Sequence, residues 1–456
     1  MSDFAQCKNE LTLVNKGIEN VNSKLPGEKG PFGKLLHWFT SHQINKWIIF
    51  FLLVYVVLLV KVITFKQLEN SILFGAYSIL VSIYILSRFL LAYFYDPTPI
   101  PNANYTPTVT FVTPAKNEEE NISATLRAMM NSNYPKSRFE IIAINDGSTD
   151  ATLKEMKKVE KEAIASGVRL SVVNWKKNRG KRHGMAEGIL RSKSQIIVFV
   201  DSDSFVQPST LRALVKYFQD RKVAAVAGHA DVYNKDQNLL TKMQAVRYYV
   251  AFRAYKSAEA LFGSVMCCSG CCSAYRRKYV NRVLEPWLNQ KFFGASCTYG
   301  DDRSLTNFLI RKYKAVYAPE AQSTTVVPDT WRGFMKQQLR WKKSWTRESI
   351  KAAAFMWKKN PIMSISFFLG VVLPLVAPVI VVRALIWVPS HTGAFPIVYI
   401  MGLILMSALY GIYYLIYKKD RLWIYGVLFA WFYSLVLVWQ LPYAILQLRD
   451  SRWGTR

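Results

Sequence analysis

Two long apolar runs before a mixed-polarity stretch, and two more after it, constrain this chain more than any other feature. The runs at 46–64, 71–94, 364–388 and 395–417 each reach the roughly 20 residues that a helix needs to cross a hydrocarbon core. The sequence therefore predicts a membrane protein with a polar domain inserted between transmembrane helices. The link 65–70 is short, Lys34, His37 and Lys46 stand at or before the start of the first run, and Arg88 lies near the end of the second. Such flanks suit a hairpin that starts and returns in the cytosol. Pro97, Pro99 and Pro101 then break the helix and open a linker. After the second pair, Lys418, Lys419, Asp420 and Arg421 mark a return to the cytosol. The last apolar run, 422–447, is interrupted by Pro442 and followed by Arg449, Arg452 and Arg456, so an interfacial or re-entrant segment is expected, with a further span as the alternative.

The resulting division is a cytosolic extension at 1–43, two transmembrane helices in 44–95, a cytosolic domain at 105–328, and amphipathic interfacial helices at 329–362. Two transmembrane helices in 363–417, the segment 422–448 and a tail at 449–456 complete it. Residues 1–43 are polar, without a cleavable signal, so the amino terminus is expected in the cytosol. The net charge of +29, from 59 Lys and Arg against 30 Asp and Glu, fits nucleic acid, anionic lipid or an anionic substrate and product. Because the apolar runs give basic residues a simpler task as cytosolic flanks, membrane lipid is expected and nucleic acid is not. Cys267, Cys268, Cys271 and Cys272 crowd one segment, where neighbours pair poorly as disulfides and make a poor tetrahedral zinc set. They read as thiols beside Gly270, with Cys267 and Ser269 lining a narrow acceptor channel.

Between 107 and 325, short β-rich runs alternate with helical stretches: VTFVTPA, FEIIAIND, RLSVVNW, QIIVFVD and VAAVAG. This pattern predicts an α/β domain, whose ligand loops lie at the carboxyl ends of the strands. There, Asp201 and Asp203 leave an apolar strand together, a pair suited to Mg²⁺ or Mn²⁺, with Asp203 as the metal ligand; two solvated loop carboxylates are the bland alternative. Asp146 in DGSTD is an ordinary turn residue alone and a base or ribose contact beside Asp203. Lys181 and Arg182, after a flexible Gly180, offer cations to a diphosphate, or form a basic surface loop. In GDDR, one carboxylate suffices as a general base for an acceptor hydroxyl. Asp302 is assigned that role and Asp301 the orientation of neighbours such as Arg303. Gln337, Arg340 and Trp341 share a helix face by their spacing. Arg340 suits a diphosphate and the Trp341 indole an acceptor sugar, on what is also a basic amphipathic helix.

DGSTD, DSD, GDDR and QQLRW, in that order between paired membrane segments, resemble the inverting processive family-2 glycosyltransferases, which include cellulose, chitin and hyaluronan synthases. NRGKRHG, CCSG, AYRR, CTYGDDRSLTN, KQQLRWKKSWTRES and the terminal RWGTR are most similar to the hyaluronan synthases, over about 50–456. The resemblance implies a cytosolic nucleotide-sugar-binding domain of the GT-A type, UDP-GlcNAc and UDP-GlcA as donors, and Mg²⁺ or Mn²⁺. It also implies a growing polysaccharide extruded through the chain's own channel at the plasma membrane, by a chain expected to act as a monomer. By position, Asp146 would contact uridine, Asp201 and Asp203 the metal-diphosphate, and Gln337 and Arg340 the UDP-sugar. Asp302 would be the base and Trp341 the acceptor platform, while Trp453, Thr455 and Arg456 would gate bound UDP. Lys116 and Asn145 depart from the pattern, at the expected uridine contacts. CCSGCCSAYRR and VVPDTWRGFMKQQLRW also resemble enzymes making chitin oligosaccharides from UDP-GlcNAc alone.

Overall fold

The computed structural model describes residues 72–97 and 104–449, with several helical positions between 48 and 59. The extension 1–43, most of the run 46–64, and Trp453, Thr455 and Arg456 lie outside the described residues.

The five predicted strand runs form β1 (Val109–Ala115), β2 (Phe139–Asp146), β3 (Arg169–Trp175), β4 (Ile196–Phe199) and β6 (Val223–Val232). Five strands escaped the sequence reading, three of them in the main sheet: β5 (Ser204–Val206), β7 (Ser273–Arg276) and β10 (Lys314–Thr325). Together they make one mixed sheet in the order β3-β2-β1-β4-β7-β6-β10-β5, with β8 (Lys291–Phe292) and β9 (Ala295–Ser296) as a separate hairpin. The first four strands in that order run parallel, and β7 is antiparallel to both neighbours. Alternation along the strands feeds two cores. Val112, Ile142 and Ile197 point to one face and Phe111, Ile141 and Val198 to the other. With both faces covered, the strands read as continuous apolar runs, and β1 is buried along its whole length.

Helices α1 (Ile72–Tyr93), α2 (Ile122–Met130), α3 (Thr152–Ser166), α4 (Lys181–Arg191) and α5 (Leu239–Val250) are followed by α6 (Asp301–Ile310) and α7 (Trp331–Met356). The chain then forms α8 (Pro361–Val382), α9 (Ile397–Lys418), α10 (Trp423–Leu435) and α11 (Gln440–Leu446). Among the described residues, three helices are long and apolar enough to cross a membrane: Phe74–Tyr93, Pro361–Thr392 and Ile397–Lys418. The last apolar run forms two helices bent by 44° at one break, the geometry of a broken span or a re-entrant loop. The basic stretch is one 26-residue helix, α7, and its polar residues from Lys343 and Ser344 through Thr346 to Ser349 are buried. These polar side chains face protein, so α7 positions the site as well as carrying basic and aromatic residues.

Helix α4 lies close on β1 because two glycines remove side chains at the contact. A Cβ on Gly188 would stand 2.2 Å from Val112 Cγ1. Gly188→Ala should therefore lower stability by about 1–3 kcal/mol, through overpacking. The check is the melting temperature of the purified protein, and an unchanged value would mean that α4 stands off the sheet.

Candidate active site

Loops after β1, β2 and β4 converge at the carboxyl edge of the parallel strands. They line a cavity of about 940 Å³ with Asp146, Lys181, Arg182, Asp201, Asp203, Gln337 and Arg340 among its walls. All seven were singled out in the sequence. Cys267, Ser269, Asp302 and Trp341 lie outside that lining.

Beyond β4 the backbone is pinned on both sides of the acidic pair. Asp201 N donates to Gly270 O at 3.0 Å and Val326 N to Asp203 O at 3.0 Å. The Lys181 ammonium ion-pairs with Asp201. Burial pushes Lys181 down, but the charges of Asp201, Asp302 and Asp301 outweigh it and hold the ammonium above the usual lysine range. Burial and the adjacent Asp201 charge push Asp203 up to about 6, against the opposing pull of Lys181. From sequence, the small side chains beside Gly270 are expected to line an acceptor channel, and Gly270 itself is given no role. In the structure it clears space for Asp201, because a Cβ there would stand 2.6 Å from Asp201 Oδ1 and 2.7 Å from Oδ2.

Asp146 is 3% exposed, and both its carboxylate oxygens accept backbone N–H groups, from Arg179 at 2.6 Å and Gly180 at 2.9 Å. It thus anchors the NRGKR loop while lining the cavity. Arg179 lies over the Trp175 ring at 4.8 Å. Asn145 Nδ2 donates to Asn174 Oδ1 at 2.8 Å, so this departure from the family pattern ties β2 to β3.

Arg182 departs from expectation. It was assigned to the diphosphate, but its side chain is 3% exposed and its Nε donates to Asp301 Oδ1 at 2.6 Å. Nη1 donates to Trp287 O at 3.1 Å, and the guanidinium lies over the Trp287 ring. Arg182 borders the cavity, but its Nε and Nη1 are engaged by Asp301 and Trp287. The same contact corrects Asp301, which pairs with Arg182 where Arg303 was expected.

Asp302 sits in the first turn of α6, where its Oδ1 accepts Arg303 N at 2.8 Å and its Oδ2 faces Cys267 Sγ at 3.5 Å. Burial and then the Asp302 charge push the Cys267 thiol up, which keeps it a protonated donor. Gly300 before it has φ 73°, and a Cβ there would stand 1.8 Å from Ser344 Oγ, so only glycine lets this loop meet α7. Burial pushes Arg340 below its usual range, while the charges of Asp302, Asp201 and Asp301 act to keep it ionised. Gln337 Oε1 is buried and has no hydrogen-bond partner among the described residues.

Around the CCSG segment, Lys256 Nζ donates to Cys267 O at 2.8 Å and Ser269 Oγ at 3.0 Å. Trp341 is 41% exposed, with its ring centroid 6.2 Å from that of Tyr248. Lys256 and Tyr248 were missed from sequence, since neither sits in a motif. The five cysteines among the described residues are free thiols, and no group of three His, Cys, Asp or Glu there could hold a metal.

The sequence model of the family described as glycosyl transferase family 2 matches residues 110–284. A hyaluronan synthase of Streptococcus pyogenes is 31% identical over 388 residues, covering 84% of this chain and 90% of the relative. An N-acetylglucosaminyltransferase of Azorhizobium caulinodans is 30% identical over 358 residues, covering 77% and 88%. Among solved structures, the mannosyltransferase PcManGT from Pyrobaculum calidifontis, in complex with GDP-Man and Mn²⁺, superposes with a TM-score of 0.56 at 20% identity. The match covers 80% of this chain and 99% of that one, and it shows a shared fold.

Gly270→Ala tests the close approach to Asp201. The added methyl should displace that carboxylate and lower turnover about 10- to 100-fold with little change in melting temperature. Steady-state kinetics check this, and wild-type turnover would show that Asp201 has room to spare.

Proposed function

The chain belongs to the hyaluronan synthase family of glycosyl transferases, and on that premise we propose that it polymerises hyaluronan from UDP-GlcNAc and UDP-GlcA. It does so processively, with inversion at the transferred sugar, and as a single chain it extrudes the polymer across the plasma membrane from a cytosolic catalytic domain. One observation carries this best: Lys181, Asp201 and Arg340 line one cavity, Lys181 ion-pairs with Asp201, and the Asp302 charge acts on both Lys181 and Arg340.

Asp203 and Asp201 would hold a divalent cation, Mg²⁺ or Mn²⁺. The donor set fits: two hard carboxylates stand together, the charge of one raising the proton affinity of the other, with Lys181 as the cation paired to Asp201. A third protein ligand is missing among the described residues, as suits an ion that keeps waters and shares diphosphate oxygens. When bound, such an ion neutralises charge on the leaving diphosphate. The distant mannosyltransferase is described with Mn²⁺ and a nucleotide sugar.

Asp146 shapes the nucleotide loop and closes the uridine end of the cavity. Lys181, Gln337 and Arg340 bind the donor's diphosphate and sugar. Asp302 takes the proton of the acceptor hydroxyl as that oxygen attacks the anomeric carbon from the side opposite the diphosphate. Trp341, flanked by Tyr248, stacks on the acceptor sugar, and Cys267 and Ser269 border its path. Trp453, Thr455 and Arg456 close over UDP.

A second reading, a chitin-type synthase using UDP-GlcNAc alone, is favoured by the nearly equal identity to an N-acetylglucosaminyltransferase. The net charge of +29 favours a polymer with a carboxylate in each repeat. Purified protein in detergent, given each donor singly and both together with Mg²⁺ or Mn²⁺, should make polymer only from both, degraded by hyaluronidase and resistant to chitinase. Chitinase-sensitive product from UDP-GlcNAc alone would establish the second reading instead.

The acidic pair also sets a pH dependence. A carboxyl raised to about 6 is protonated as pH falls through that value, and a protonated Asp203 cannot take a cation. The Mn²⁺ affinity of the UDP-loaded protein should therefore drop roughly tenfold per unit below pH 6 and level off above it. Titration of bound Mn²⁺ between pH 5 and 8 checks this, and a flat profile would contradict it.

A further inference from the structure

Arg182 is enclosed beside the cavity, and its ion pair with Asp301 belongs to a wider buried network. Gln290 Oε1 accepts from Arg182 Nη1 at 3.4 Å and from Ser304 Oγ at 2.5 Å. Gln290 Nε2 in turn donates to Glu348 Oε1 at 3.1 Å. Glu348 also accepts from Asn307 Nδ2 at 3.2 Å and from Arg347 Nε at 3.0 Å, and Arg347 Nη2 reaches Tyr299 O. Relative exposures are 3% for Arg182 and Asp301, 7% for Gln290, 2% for Arg347 and 1% for Glu348.

The network joins three pieces of the catalytic apparatus. Arg182 follows Lys181 at the start of α4, Asp301 precedes Asp302 at the start of α6, and Glu348 sits on α7 two turns beyond Arg340 and Trp341. Stability alone explains it poorly, because taking charges out of water offsets most of what a buried pair gains. The geometry says the same: the pair makes one hydrogen bond through Nε and Oδ1, and leaves Arg182 Nη2 and Asp301 Oδ2 buried without partners. A pair selected for strength would use the two parallel bonds that arginine and carboxylate form readily.

We propose that the buried Arg182–Asp301 ion pair is a positioning device that holds Lys181, on the donor side, at a fixed spacing from Asp302, on the acceptor side. It rests on the functional assignment above, in which these two neighbours carry diphosphate binding and proton removal. Gln290 and Glu348 extend the same tie to α7, so that donor, base and acceptor platform move as one unit. In this role both members act through their neighbours and not on substrate.

The test uses the full chain in detergent, as Arg182→Gln, Asp301→Asn and the double variant, with UDP affinity by calorimetry and kcat and KM for the donors. Positioning predicts that each single variant loses about 100-fold in kcat, with UDP affinity within about twofold of wild type. The double variant should be no worse than the poorer single, because both remove the same link. Arg182→Lys, which keeps the ion pair, should recover part of the lost kcat, and it is the variant to use if Arg182→Gln fails to fold. Weaker UDP binding in Arg182→Gln with normal binding in Asp301→Asn would make Arg182 a diphosphate ligand and overturn the proposal, as would losses that multiply. If wild-type protein makes no polymer, the functional assignment fails instead; wild-type activity with near-normal kcat in both variants defeats the positioning claim alone.

Discussion

Carboxylates gathered at one edge of a half-parallel sheet are the constraint on which the site depends. Burial and the neighbouring Asp201 charge raise the proton affinity of Asp203, and the charges of Asp201 and Asp302 both act on Lys181 and Arg340. The chain answers with few cations. Lys181 takes Asp201, Arg340 offsets Asp302 at a distance, and Asp203 keeps a raised carboxyl. Half-buried carboxylates gathered in this way are receptive to a divalent ion with its diphosphate.

That arrangement requires backbone to approach backbone closely. Gly270 makes room for Asp201, Gly300 lets the acidic loop meet α7 at Ser344, and Gly188 brings α4 down on β1. Helix α7 is the common wall. Its far half is buried against the domain through Arg347 and Glu348, while its near half places Gln337 and Arg340 in the cavity wall. Helices α8 and α9, both long and apolar enough to cross a membrane, follow directly in the chain.

Much of this was legible in the sequence, for physical reasons. Strands β1, β2 and β4 are covered on both faces and so read as apolar runs ending in polar loops, which placed Asp146, Asp201 and Asp203. Strand β10 was hidden by Pro319, Glu320 and a break in register between Tyr317 and Gln322. Strand β7 was hidden by its brevity and its Arg276. The pairing of Arg182 with Asp301 was not legible, because a cation after a glycine looks alike whether it meets phosphate or a distant carboxylate, and Asp301 lies far along the chain. Tyr248 and Lys256 lack any local pattern, since a ring or an ammonium that joins a site through the fold leaves no trace in spacing.

The central claim is that Asp302 performs chemistry at a site whose nucleotide grip is supplied by other residues. The most direct measurement compares UDP binding with sugar transfer in Asp302→Asn. A normal UDP dissociation constant with transfer reduced by about 100-fold or more is the predicted result, consistent with loss of a general base. Transfer near the wild-type rate, or loss of UDP binding in parallel with loss of transfer, would contradict it.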